Sequence, residues 1–152
     1  MPWFGSSGNL DMNNIEQPSV TLVTDTQDIR AEDVLALFAH AEWAKHRTAG
    51  EVRRMLDHTQ VMVVAKCHAR LAGCARVVTD GAFRAFVEDV VVIPEYRGAG
   101  IGRLMINKLE QMVSEIGIPR LDLTTTQTGF WERLGYRQKV GSSYMVKLLR
   151  VS

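Results

Sequence analysis

From Ser19 onward, apolar and polar positions fall into short blocks whose period changes along the chain. "SVTLVT" (19–24) alternates and is β-branched, which predicts a strand. In the next twenty residues Ile29, Val34, Leu35, Leu37, Phe38 and Ala41 recur at helical spacing, with Glu32 and Asp33 suited to a first turn. Thr48 followed by Glu51 is a capping box opening a helix over "AGEVRRMLDH". "QVMVVAK" and "RLAGCARVVT" predict two strands joined by a tight turn near residues 67–69. "TDGA" (79–82) is a hairpin signal, and "RAFVEDVVVI" is the strand that follows it. In "GIGRLMINKLEQMVSEIG" an apolar stripe of Ile101, Leu104, Met105, Leu109, Met112, Val113 and Ile116 marks a long helix, and Gly117 ends it. "RLDLTTT" predicts a strand, "GFWERLG" a short helix and "YRQKVGSSYMVKLLR" a closing hairpin. The order is β-α-α-β-β-β-α-β-α-β-β. A meander followed by a crossover gives an α+β (mixed α/β) plan with a mostly antiparallel sheet.

Residues 1–18 break this organisation. They are rich in Gly, Ser and Asn and have no apolar period, so they predict a flexible leader before one domain over 19–152. The chain has 152 residues and a formal net charge of +1, which gives no electrostatic case for nucleic acid or a membrane as partner. Two cysteines, Cys67 and Cys74, make no disulfide framework and suit buried thiols in a reducing cytoplasm. The four histidines have no metal-ligand spacing with them, and no metal site is expected. Met62, Met105, Met112 and Met145 fall where core residues are expected. Trp43, between the first two helices with His46 and Arg47, is read as core with the other two solvated, and the alternative is an aromatic with a basic edge that holds an anionic or aromatic acceptor.

The chemistry concentrates in "VEDVVVIPEYRGAGIGRLM" (87–105). A strand runs into Arg97, Gly98, Ala99, Gly100, Ile101, Gly102 and Arg103, and a helix starts there. Glycines let backbone approach a ligand closely, and the unpaired N–H groups and dipole of a helix N-terminus favour an anion. A P-loop would need Lys-Ser/Thr after the last glycine, but Arg103 and Leu104 stand there. A dinucleotide fingerprint would follow a first parallel strand, whereas this loop follows a meander. Coenzyme A is the third candidate.

Arg97-Gly98-Ala99-Gly100-Ile101-Gly102 matches the Arg/Gln-x-x-Gly-x-Gly/Ala signature of the GCN5-related N-acetyltransferases. "DVVVIPEYRGAGIGRLMINKL" resembles that family's motif A throughout, and "FWERLGYR" (130–137) is similar to its motif B. The resemblance covers about residues 19–150. It implies acetyl-CoA as the acetyl donor, with the pyrophosphate on the amides from Arg97 to Arg103. The pantetheine arm would pair with the backbone of Val90, Val91 and Val92, in a cleft where the fourth and fifth strands splay apart. It further implies acetyl transfer by direct attack of an amine in a ternary complex. The acceptor would be a small-molecule amine or a peptide N-terminus. Dimerisation through the late strands is common in the family.

Two acids lie in the middle of the strand before the loop. An attacking amine must be neutral, so a carboxylate base is wanted near the thioester. The family's commonest glutamate position falls on Phe86 here, which is a departure. Glu88, two residues on, is the favoured base and Asp89 the second candidate. The plainer reading is that one acid pairs with a basic neighbour such as Arg84 or Arg76. A second departure is Trp131, which stands where the family keeps a tyrosine as proton donor. Indole cannot protonate a thiolate, so Trp131 is expected to pack on the cofactor arm or the core. Tyr144, on a late strand, is the remaining candidate donor. A rival to an enzyme is an acyl-CoA-binding module on the same fold, with catalysis lost.

Overall fold

The computed structural model describes residues 19–151, so the expected leader over 1–18 lies outside the described residues. Strand β1 (Val20–Val23) leads to helices α1 (Ala31–Phe38) and α2 (Ala49–Asp57). Three strands follow, β2 (Val61–Cys67), β3 (Arg70–Thr79) and β4 (Ala85–Val92). A 3-10 turn (Pro94–Tyr96) precedes helix α3 (Ile101–Ile116), and α4 (Thr128–Arg133) comes last. The four strands form one antiparallel sheet in the order β1-β2-β3-β4. The α+β architecture therefore stands, and most local signals stand with it.

The capping box is present at α2. Glu51 N–H donates to Thr48 Oγ1 at 3.3 Å, and Thr48 N–H donates to Glu51 Oε2 at 2.7 Å. In the β3–β4 loop, Asp80 Oδ1 accepts from the amides of Ala82, Phe83 and Arg84, which holds its carboxyl down at about 2. Gly117 closes α3 with φ of 96°, a conformation that an L side chain adopts only with strain.

Each face of the sheet is covered by different helices. Ile101, Met105, Ile106, Leu109 and Val113 of α3 pack on one face with Val63, Ala65, Ala75 and Val77. Val34, Leu37 and Phe38 of α1 and Val52 and Leu56 of α2 cover the other with Met62, Val64 and Cys74. β2 is buried on both sides along nearly its whole length, which its unbroken apolar run requires. On α3 the stripe is rotated from the expected one. Ile106 is buried, while Leu104 and Ile116 are exposed.

The late strands differ most from expectation. "RLDLTTT" makes one parallel bridge, Phe86 with Asp122, and the expected closing hairpin forms no strand. A strand needs a partner to satisfy its backbone, and beyond that bridge these segments find none among the described residues. Val140, Tyr144, Met145, Val146, Leu148, Leu149 and Val151 are all exposed, so Met145 is not in the core.

Candidate active site

β4 changes parity in its middle. Arg76 of β3 faces Glu88 and Cys74 faces Val91, so Asp89 and Val90 together oppose Ala75. This is a β-bulge, and its first residue, Asp89, has φ of 52°. Asparagine, aspartate and glycine tolerate that left-handed region better than other residues do. The side-chain pattern flips across the bulge. Ala85 and Val87 pack with α3, whereas Val91 and Ile93 pack with α1 and α2. Opposite this kink Gly73 is required by contact: a Cβ there would lie 2.6 Å from the carbonyl oxygen of Val91.

The bulge aims Asp89 into an ion-pair cluster. Its carboxylate, fully buried, accepts from Arg47 Nη2 at 2.9 Å and from Arg76 Nε at 2.6 Å. Burial works to raise its pKa, but the hydrogen bonds and charges of the two guanidiniums outweigh burial and hold the carboxyl below its ordinary value. Arg47 also lies 4.6 Å from the centre of the Phe38 ring and is held charged chiefly by its bond to Asp89. Its Nη1 is buried without a protein partner. The expected ion pair with Arg76 therefore forms, and Asp89 is its acid. Arg47 went unrecognised as its second partner because 42 positions separate it from Asp89, too far for any local sequence signal.

Glu88 has the opposite environment. It is half-buried, and burial is the main cause of its raised pKa, helped by the neighbouring Asp89 carboxylate and opposed by Arg76 and Arg47. Cys74 Sγ contacts the carbonyl oxygen of Asp89 at 3.5 Å, and burial pushes its thiol up to about 12, so it is no nucleophile.

On its outer edge β4 is paired at one point. Val87 N–H donates to Asp122 O at 2.8 Å and Asp122 N–H to Ala85 O at 3.0 Å. Among the described residues no bridge continues past it, so from Glu88 to Val92 the outer edge of β4 has no strand beside it, a gap in the pairing of the sheet. The gap leads to the glycine loop. Gly98 and Gly100 have φ of 79° and 81°, and a Cβ on either would meet nothing within 4 Å, so their glycines answer to backbone conformation and open space. Gly100 is the N-cap of α3, with no capping side chain and no acid in the first turn. The first N–H groups of a 16-residue helix are therefore free to bind an anion. Gly102 lies under Phe130, where a Cβ would sit 3.3 Å from that ring. Arg97 Nε donates to Val92 O at 2.9 Å, tying the loop to the end of β4, while Arg103 is exposed. Ala99 and Ile101 complete the loop, and Ile101 is anchored in the core.

The remaining candidates separate. Trp131 is a core residue, edge-on to Phe130 at 5.1 Å and to Tyr136 at 5.0 Å. The Tyr136 hydroxyl donates to Glu110 Oε1 at 2.9 Å. Tyr144 is 74% exposed on the unpaired C-terminal segment, not on a strand beside the gap. Trp43 is 65% exposed instead of buried, because α1 ends at Phe38 and the chain continues in turns. With His46, Arg47, Glu51, Met55 and Arg76 it lines a groove of about 430 Å³. A second groove, about 450 Å³ between residues 27–32 and 49–53, holds none of the candidates. No group of three or more His, Cys, Asp or Glu able to hold a metal occurs among the described residues.

Residues 24–136 match the model of the acetyltransferase (GNAT) family. The chain belongs to that family. It is 30% identical over 87 residues to an uncharacterised N-acetyltransferase of Chlorobaculum tepidum, a match spanning 57% of this chain and 56% of that protein. The crystal structure of a putative GNAT acetyltransferase from Xanthomonas campestris superposes with a TM-score of 0.74 at 27% identity, covering 87% of this chain and 94% of that one. AAC(6')-Iy, solved with a bisubstrate analogue built on CoA, shares the fold at a TM-score of 0.69 and 14% identity, covering 86% of this chain and 99% of its own.

Proposed function

We propose that the protein transfers acetyl from acetyl-CoA to an amine by direct attack in a ternary complex. The observation that carries this reading is the bulged edge of β4 with no strand beside it, which leads through the 3-10 turn into the uncapped N-terminus of α3. The free amides from Gly98 to Arg103 suit a pyrophosphate, and the absence of an acid in the first turn leaves no competing carboxylate. The edge of β4 at Val90 to Val92, which has no strand beside it and on which Val92 O is held by Arg97 Nε, suits the amides of pantetheine.

Glu88 is the base in this reading. Its raised pKa brings it closer to the working pH than an ordinary carboxylate, whereas Asp89 is committed to two arginines. The amine nitrogen attacks the thioester carbonyl and its proton passes to Glu88. The C–S bond then breaks, and the CoA thiolate takes a proton from solvent. A thiol of pKa about 8.5 leaves without a dedicated acid. That agrees with Trp131 in the core and with the Tyr136 hydroxyl on Glu110.

The groove at Trp43, His46, Arg47 and Arg76 is the acceptor wall. In the ion-pair cluster two guanidiniums face one carboxylate, and one Arg47 nitrogen lacks a partner, so an amine that also carries a carboxylate or phosphate fits best. The test is thiol release from acetyl-CoA across a panel of amines, with acetyl-CoA binding measured separately by calorimetry. Release with a carboxylate-bearing amine supports the reading. Tight binding with no release from any amine would instead favour an acyl-CoA-binding module, which the lack of a tyrosine donor at the gap makes the second reading.

A further inference from the structure

We infer that Arg76 makes the groove beside β4 a site for an α-amino acid with a large apolar side chain, by holding that molecule's carboxylate. The inference rests on the reading of Glu88 as the base and of this groove as the acceptor wall. Arg76 gives Asp89 Oδ2 only its Nε–H, at 2.6 Å. Its terminal nitrogens, Nη1 and Nη2, make no hydrogen bond among the described residues. Nor are they buried: the buried side-chain nitrogen without a partner is Nη1 of Arg47. They open on the groove of about 430 Å³ that Arg76 lines. Asp89 thus fixes the guanidinium plane through Nε, and the far edge is left with parallel N–H donors, the shape that takes a carboxylate in two bonds.

The strand register sets the length of the ligand. Arg76 stands directly opposite Glu88 on the β3–β4 pair. Residues so opposed have Cβ atoms about 4.5–5.5 Å apart. Ala75 and Val87 pack toward α3, so by alternation Arg76 and Glu88 both point to the face that α1 and α2 cover. The clamp and the base are therefore side by side. A molecule that reaches both must carry its anion close to its amine, and in an α-amino acid one carbon separates them. A carboxylate or phosphate at the far end of a long amine would overshoot Arg76. The zwitterion fits by charge as well, with its ammonium on Glu88 and its carboxylate on Arg76. Glu51, the other acid lining the groove, does not take that guanidinium, because its Oε2 accepts from the Thr48 amide and hydroxyl.

The rest of the groove is apolar. Trp43 is largely exposed, and with half-buried Met55 and buried Val52 it forms a wall beside the clamp. A few fixed polar groups against an apolar lining is the usual build of a small-molecule site, and an open indole offers a flat surface to a large apolar side chain.

Phenylalanine and 2-phenylethylamine differ by the carboxylate alone, and thiol release from acetyl-CoA compares them. In the unmodified protein kcat/KM should favour phenylalanine by about 10²–10⁴-fold, and Arg76→Gln should bring the ratio close to one. Loss of the bond to Asp89 alone would lower both amines alike and keep the ratio. Binding is read separately, by calorimetry on the protein loaded with CoA. N-acetylphenylalanine should bind it, and N-acetyl-2-phenylethylamine should bind about tenfold or more weakly, a comparison that stands even if Arg76→Gln does not fold. Trp43→Ala should cost phenylalanine about tenfold in kcat/KM and alanine little. N-acetylphenylalanine bound with this preference, but no release from any amine, upholds the site and removes the transfer reading. Equal release from both amines leaves transfer intact and overturns the inference. So does a preference for phenylalanine that survives Arg76→Gln, or an equal loss for phenylalanine and alanine in Trp43→Ala.

Discussion

The stretch 85–117 and the stretch 120–151 are built from similar material, and they end differently. Both contain an apolar run, a glycine-bearing turn and a helix. In the first, β4 finds β3, α3 finds the sheet, and the three glycines at positive φ, Gly98, Gly100 and Gly117, sit where the chain must turn. In the second, one bridge forms at Asp122, α4 is held by Trp131, and the apolar run after Gly141 has no partner. Strand propensity marks a segment able to pair, but the pairing belongs to whichever edge is available. The first stretch brings its partners within its own chain. The second carries the same signal and leaves it unanswered.

The sharpest way to break the first stretch is Glu88→Gln, which keeps shape and removes basicity. If Glu88 takes the amine's proton, kcat/KM should fall about 10²–10⁴-fold while acetyl-CoA affinity holds. In the unmodified protein activity should decline as pH falls through the raised Glu88 pKa, since only the carboxylate accepts a proton. That acidic limb should vanish in the variant. A pH–rate profile checks both, and an unchanged rate would remove Glu88 from the chemistry.

Asp89→Asn should act mainly on stability. Asparagine keeps the left-handed backbone but leaves Arg47 and Arg76 without their counter-charge, a loss of roughly 3–5 kcal/mol for a buried pair. The sign with pH is fixed by the lowered pKa. The contribution is complete above the unfolded value near 3.9, and it is lost as pH falls through the folded value below it. Urea melts of both proteins at neutral and acidic pH should therefore converge in the acid. A stable Asp89→Asn protein with a lost kcat would show that Asp89, and not Glu88, faces the reacting amine.

What the sequence reveals follows the range of the interaction. The capping box at Thr48, the loop after Asp80, the glycines at 98 and 100 and the end of α3 at Gly117 are local, and each is found where its residues predict. The pairing of Asp89 with Arg76 crosses one strand pair, and the sequence offers Arg76 as a basic neighbour of the two acids. Its second partner, Arg47, lies in a loop 42 residues away. Trp43 is exposed where a core residue is expected, because the helical period suggests a longer α1 than forms. The late strands differ from expectation because their sequence specifies the strand and leaves its neighbour open.

Gly100→Asp tests the loop at somewhat smaller cost. The side chain meets open space, so the fold should survive, and aspartate tolerates the φ of 81° better than most residues. A carboxylate at the N-cap would compete for the free amides and repel a pyrophosphate. Acetyl-CoA binding should weaken by roughly 2–3 kcal/mol, about the strength of one or two charge-assisted hydrogen bonds. Calorimetry reads this directly. Unchanged affinity in a folded variant would place the cofactor elsewhere.

The smallest effect belongs to the root of the second stretch. Tyr136→Phe removes a single hydrogen bond to a carboxylate, Glu110, and leaves the ring on Trp131 in place. At neutral pH the loss should be about 1–2 kcal/mol. Burial, with the Glu110 carboxylate added, raises the Tyr136 pKa above its ordinary value of about 10. An acid whose folded pKa is raised lends stability that is complete below the unfolded value and fades as pH climbs toward the folded one. The unmodified protein should therefore lose stability above about pH 10 more steeply than the phenylalanine variant, and the gap between them should close. Turnover separates the two roles this hydroxyl could have. If it only anchors the chain before the C-terminal segment, kcat at pH 7 stays unchanged while the alkaline slope of stability flattens. If kcat falls instead and the slope does not move, the hydroxyl is reaching the thioester in the working protein, and its bond to Glu110 is broken during turnover.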